Sequence, residues 1–191
     1  KLEKYASNLE KAVSVANDAG TPIILGTLPS NTEWPPVFRR IGKGRAHEER
    51  VESILASIET NHLGEARAAL SSFVDDKNVN DPIVLYLEGL LSYRTNDVEV
   101  GRQKLKEAKD SDPLPWRVLS IFNEMVRDLE QKDKGVFIVD IERVFEDLSP
   151  GGVIGETFIS DNCHPTPLGY SVMAIEFINA MTDRLLSSDS N

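Results

Sequence analysis

NLEKAVSVANDAGTPIILGTLPSN, residues 8–31, contains the first change of hydrophobic period in this sequence. Leu2, Tyr5, Leu9, Ala12, Val13 and Ala16 recur at spacings of three and four, which predicts a helix over 2–18. Ala19-Gly20 ends it, with glycine in the usual stop position. Ile23, Ile24 and Leu25 then run without a polar break, as in a parallel strand covered on both faces. Helix, glycine and short apolar strand make half of an α/β unit, and this sets the expected fold class.

The second half of that pattern lies far downstream. A helix is expected over 114–133, with Val118, Ile121, Phe122, Met125, Val126 and Leu129 as its buried stripe. GVFIVDI (135–141) reads as a second buried strand and SPGGVIGE (149–156) as a loop. A last helix is expected from Thr166 or Pro167 to Leu186, turning Val172, Met173, Ile175, Ile178 and Met181 inward. The loop after the first strand, 30–45, lies where open α/β sheets place ligand-contacting loops. It also reads as a plain connector.

Between the two α/β parts, 46–113 is helical and has no strand-like run. GEARAAL (64–70) echoes EVGRQKL (99–105) at an offset of 35 residues. A period of about 34 is the mark of tetratricopeptide helix–turn–helix repeats. Gly89, Gly101, Leu105, Ala108 and Pro113 fit that repeat's small, apolar and closing positions. A first, degenerate unit keeps Ala66, Leu70 and Phe73. Two units are fewer than such arrays need to stand alone, so they must pack on the rest of the chain. The expected division is therefore 1–45 and 114–191 as α/β parts, with 46–113 spliced between them. Two strands make a poor parallel sheet, which needs more neighbours and cover on both faces.

The chain has 191 residues, of which 40% are hydrophobic, enough to bury a core. Asp and Glu number 31 against 21 Lys and Arg, a net charge of −10. That balance argues against a nucleic acid or an anionic membrane as partner. The densest basic stretch, FRRIGKGR (38–45), is followed by two glutamates and reads as a solvated loop. Cys163 is the only cysteine, so no internal disulfide forms and the redox compartment stays open. No apolar run approaches the roughly 20 residues of a membrane span. The first residue is Lys, and the lack of a targeting segment has no bearing on the compartment.

FISDNCHPTPLGY (158–170) carries the chemistry. An imidazole is a good general base because its pKa lies at about 6.5. It works best when a carboxylate fixes its tautomer. The spacing of three puts Asp161 and His164 on one turn, letting the acid reach Nδ1 and leaving Nε2 for a nucleophile. Pro165 stiffens the turn. The spacing is common by chance, and the plain alternative is that Asp161 caps a turn beside a surface histidine.

In context, with a preceding strand and a Gly-led C-terminal helix, DNCHPTPLGY (161–170) resembles the last conserved block of the SGNH (GDSL-type) hydrolases. Residues 8–31 look like that family's fourth helix–strand unit, and 112–140 like its fifth. The subgroup most resembled carries tetratricopeptide-like repeats between those units. The resemblance implies a flavodoxin-like three-layer α/β/α fold, incomplete here, with an all-α insertion. It implies His164 as general base and Asp161 as its orienting acid, with no metal or organic cofactor. Substrates would be ester-bearing small molecules, carbohydrates or lipids, with acyl transfer to a sugar as a variant. The family's nucleophilic serine and oxyanion residues belong to earlier blocks. None of the serines here lies in a Gly-Asp-Ser or Gly-Glu-Ser context after a strand, and there is no Gly-x-Asn-Asp block. The expectation is a C-terminal portion whose missing N-terminal half completes the domain. Repeat-bearing members are often membrane-anchored and face outward, so an extracytoplasmic place is implied for the whole protein.

Asn31, just after the first strand, is a candidate substrate contact or a turn residue. Arg117 is a candidate partner for an acidic group or a structural cap. The histidines, His47, His62 and His164, lack zinc spacing, and GKGR (42–45) lacks the ending of a phosphate loop. Cys163 beside His164 reads as a packed thiol more readily than as a nucleophile. The rival function is a non-catalytic scaffold that binds a protein partner at the helical repeats.

Overall fold

A computed structural model describes residues 2–37, 44–74, 78–131 and 134–184. Most of the basic stretch 38–45 lies outside them, as does the end of the last expected helix. The fold is mixed α/β and mostly helical. Among the described residues are eight α-helices and two strands, in the order α1 (Leu2–Asp18), β1 (Ile23–Gly26), α2 (Arg45–Glu59), α3 (Leu63–Phe73), α4 (Pro82–Arg94), α5 (Val98–Asp110), α6 (Ser120–Arg127), β2 (Val136–Val139), α7 (Ile141–Leu148) and α8 (Pro167–Arg184).

The strands pair in parallel although 109 residues separate their ends, with Ile23 opposite Val136 and Gly26 opposite Val139. Ile23 N–H donates to the Gly135 carbonyl and Thr27 N–H to that of Val139. Odd-numbered β1 residues therefore bond β2, and the backbone of Ile24 and Gly26 faces the opposite edge, which pairs with no other strand among the described residues. The far side of β2 is closed at its start by Gln131, which exchanges both backbone bonds with Val136. β1 is thus the open side of the sheet.

The expectation of strands covered on both faces is corrected. All four β1 residues are only half-buried. One helix, α8, packs on them so closely that a Cβ on Gly26 would fall 2.7 Å from the Phe177 ring. The expected inward face of α8 is corrected too. Val172, Met173, Phe177 and Ala180 face the core, whereas Ile175, Ile178 and Met181 are exposed.

The helix expected over 114–133 is shorter, Ser120–Arg127, because side chains claim the backbone before it. Asp112 accepts from Leu114 N–H, Ser30 Oγ from Val118 N–H, and Asp110 from Ser120 N–H. The Val118 carbonyl accepts from Lys109 Nζ at 2.6 Å. Groups bonded in this way cannot join an i→i−4 ladder. Ile121, expected inside, is exposed, and Asn123 is buried instead, donating to and accepting from the backbone of Leu28. Helix α7, between the second strand and the SPGGVIGE loop, is an addition to the expected elements.

The helical insert forms two hairpins, α2–α3 and α4–α5. In the second, Gly89 and Gly101 let the helices touch. A Cβ on Gly101 would lie 2.6 Å from the Tyr93 nitrogen, and one on Gly89 would lie 2.9 Å from the Leu105 nitrogen. The first unit has Ile54 in place of Gly89. Its core of Ile54, Ile58, Ala66, Leu70 and Phe73 is continuous with Ile83, Val84, Leu87 and Leu105 of the second. A smaller cluster of Val139, Ile141, Phe145, Ile154, Phe158 and Ile159 joins β2, α7 and the loop after it, and Val172, Met173 and Phe177 of α8 pack against it. Val153 belongs to the larger cluster, so the insert packs on the α/β part, as so short an array requires.

Candidate active site

The segment carrying Asp161 and His164 is held by burial at its start and by hydrogen bonds at its end. Phe158 and Ile159 precede it, with the Phe158 ring 4.9 Å from that of Phe145. Hiding two such side chains contributes about 1.5–3 kcal/mol each. Ile159 bridges back to Pro165, closing the segment into a narrow loop. Thr166 N–H donates to the Phe158 carbonyl at 2.8 Å, and Ser160 N–H to that of His164. Thr166 Oγ1 accepts from Gly169 N–H at 3.0 Å, so Thr166 caps α8 with Pro167 in the first helical position. Gly169 is needed here because a Cβ would run into the Phe158 carbonyl oxygen.

Inside this loop, Asp161 folds over its own turn. Its Oδ1 accepts from the N–H groups of Cys163 and His164, both at 2.9 Å. Its Oδ2 lies 2.7 Å from His164 Nδ1. The two backbone N–H groups, then the imidazole, draw the Asp161 carboxyl down to about 2. An ionised carboxylate only accepts, so Nδ1 must carry the proton it donates. The neutral ring therefore keeps its lone pair on Nε2. His164 is 72% exposed and Asp161 41%, so that nitrogen faces outward. Among the described residues, no serine hydroxyl bonds the ring. The turn cap and the oriented histidine, alternatives in the sequence, are here one arrangement.

Cys163 Sγ lies 4.0 Å from Nδ1, but that nitrogen is already committed to Asp161. Burial, then the neighbouring carboxylate, pushes the thiol up, the opposite of what a nucleophilic cysteine needs. Asp161, Cys163 and His164 also bring one donor atom each within 4.8 Å of one another. A metal ion there would have to displace the Asp161–His164 bond.

Asn31 and Arg117 take the structural of the two roles that the sequence left open for each. Asn31 is fully buried. Its Nδ2 donates to the Ile159 carbonyl at 3.1 Å, and its Oδ1 accepts from Glu33 and Trp34 N–H. Its backbone N–H donates to the Asn162 carbonyl. Arg117 donates from Nη1 to the carbonyls of Asn31 and Trp34, at 3.1 and 2.8 Å. Its Nη2 lies 3.8 Å from the Asp112 carboxylate. Both side chains are interior fastenings, so substrate contact is not what their geometry offers. His47 and His62 belong to the insert, His47 against Phe73 and His62 against Thr60. Sequence reasoning passed over Thr166 as a cap, although Thr-Pro ahead of an apolar helix is a start signal.

The loop joins the sheet where the strands end. Thr27 and Asp140, the residues after β1 and β2, bond side chain to side chain at 2.8 Å, and Arg127 grips Asp140 and Glu142. Asn31 follows Thr27 by four residues and holds the Asp161 loop directly. The pair thus sits beyond the carboxyl end of parallel strands, where open α/β sheets bind ligands. No family model, no curated protein and no solved structure matches this chain.

Proposed function

We propose that this chain is the C-terminal portion of a serine ester hydrolase or acyltransferase of the SGNH type, with a flavodoxin-like sheet that further strands complete. The observation that carries the proposal is the 2.7 Å Asp161–His164 bond, with Nδ1 committed and Nε2 exposed. The open edge of β1 supports the incomplete sheet. The nucleophilic serine and the oxyanion donors would come from sequence upstream of Lys1.

In this reading His164 Nε2 accepts the serine proton as the hydroxyl attacks the ester carbonyl. Asp161 holds the imidazolium that results. The tetrahedral intermediate collapses as the same nitrogen returns the proton to the leaving alcohol. Water then repeats the cycle on the acyl-enzyme, or a sugar hydroxyl does so in acyl transfer. The step draws on no metal or organic cofactor. The substrate is an ester of a small molecule, carbohydrate or lipid.

The complete protein should hydrolyse an aryl acetate, and His164→Ala should lower the rate by on the order of 10³-fold or more. The 191-residue chain alone should show no acyl-enzyme burst. Undiminished turnover in the variant would remove His164 from the chemistry.

A second reading, a non-catalytic module that binds a protein segment, has its own observation. A groove of about 590 Å³ lies among α3, α4 and α5, lined by Leu70, Val74 and Leu91 together with Arg67 and the Lys104–Glu88 ion pair. The sequence upstream of Lys1 separates the two. A strand followed by Gly-Asp-Ser or Gly-Glu-Ser, and later Gly-x-Asn, favours the enzyme, and its absence leaves the module.

A further inference from the structure

Asn31 bonds to three separate parts of the molecule. Toward the candidate active loop it gives its side-chain amide to the Ile159 carbonyl and its backbone N–H to the Asn162 carbonyl. These two acceptors flank Asp161. Within its own loop, Asn31 Oδ1 gathers the N–H groups of Glu33 and Trp34. Behind it, its carbonyl accepts from Arg117. All this happens with no exposure to solvent, where a lost hydrogen bond has no ready replacement.

The helical insert reaches the same point by two routes. Asp112, just past α5, lies 3.8 Å from Arg117 Nη2 and accepts from Val37 N–H. Tyr86, on α4, donates its hydroxyl to the Glu33 carbonyl at 2.8 Å. The repeats therefore brace the loop in which Asn31 sits.

We propose that Asn31 is the positioning residue of the Asp161–His164 pair, and that the helical insert holds Asn31 in place through Tyr86, Asp112 and Arg117. On this view the insert is a buttress for the active loop as well as a surface. The inference rests on the reading of Asp161 and His164 as an acid–base pair, but its test is separable from activity.

The test follows the His164 Nδ1 proton and the Asp161 carboxyl carbon by NMR in the 191-residue chain. Asn31→Asp keeps the size and the acceptor of the side chain but removes the donor to Ile159. The expected result is a downfield Nδ1 proton that broadens or disappears, and an Asp161 carboxyl that titrates above its wild-type midpoint. Tyr86→Phe removes only the hydroxyl on Glu33 and should move the same two signals less. It also serves if Asn31→Asp does not fold. Wild-type signals in Asn31→Asp would overturn the positioning role, and wild-type signals in Tyr86→Phe would overturn the bracing by the insert. An inactive complete protein with both NMR shifts present would sink the hydrolase reading and leave the positioning role standing.

Discussion

Asp161 does two jobs with one carboxylate. One oxygen closes the turn and the other orients the ring. Its folded-state carboxyl is drawn to about 2 from 3.8, first by the N–H groups of Cys163 and His164. A depressed carboxyl contributes stability above its unfolded pKa and loses it as pH falls through the folded one. The contribution is thus present at pH values above 3.8 and is lost progressively as pH falls through about 2. A ¹³C titration should accordingly show Asp161 flat through the range where exposed aspartates titrate. A midpoint close to 4 would contradict the two backbone bonds. Asp161→Asn offers an amide that can donate to Nδ1, which would turn the ring's proton to Nε2 and make that nitrogen useless as a base. In the complete protein the expected loss is on the order of 10³–10⁴-fold in kcat, with KM little changed. A loss below about tenfold would mean that the tautomer does not matter to the chemistry.

Among the elements, the second repeat hairpin makes the sharpest forecast. Gly101→Ala would place a methyl 2.6 Å from the Tyr93 backbone, and backbone cannot rotate away. The expected cost is about 1–3 kcal/mol, read as a lower urea midpoint at constant slope. Gly64→Ala, on α3 with nothing within 4 Å, should instead gain about 0.5 kcal/mol from helix propensity. Equal effects at the two glycines would mean that α4 and α5 do not meet so closely. The repeat glycines were legible in the sequence because the period fixes where small residues must stand. So were α1 and the strands, since a stop glycine and an apolar run act locally. The late start of the helix expected over 114–133 was not. Its backbone is taken by Ser30, Lys109 and Asp110, and Ser30 lies far away in sequence. Helix α7 is short, but Ile141, Val144, Phe145 and Leu148 do carry the helical spacing, so it too was legible in the sequence. At the site, the Asp161–His164 pairing followed from spacing, whereas the burial of Asn31 and Arg117 depends on contacts that no local pattern encodes.

At the scale of the whole molecule, the α/β part has less cover than its residues call for. The large core lies in the helical insert, and the small one joins β2, α7 and α8. Helix α8 gives one face to β1 and β2, while Leu168, Ile175, Ile178 and Met181 stand exposed on the rest of its surface. Among the described residues, no other strand pairs with the edge of β1 that Ile24 and Gly26 face. An apolar helix face and a strand edge are both surfaces that further neighbours would cover. If the proposed upstream half supplies those neighbours, the exposed residues change their energetic role. Ile175 is 54% exposed and Ile178 59%, so the double change Ile175→Ser and Ile178→Ser should shift the stability of this chain by no more than about 0.5 kcal/mol. In the complete protein each should cost about 1–3 kcal/mol, because a buried apolar side chain is then lost from an interior. Parallel urea unfolding of the two forms measures the difference. Equal, small effects in both would mean that α8 keeps its bare face in the whole protein, and that whatever completes the sheet does so without covering this helix.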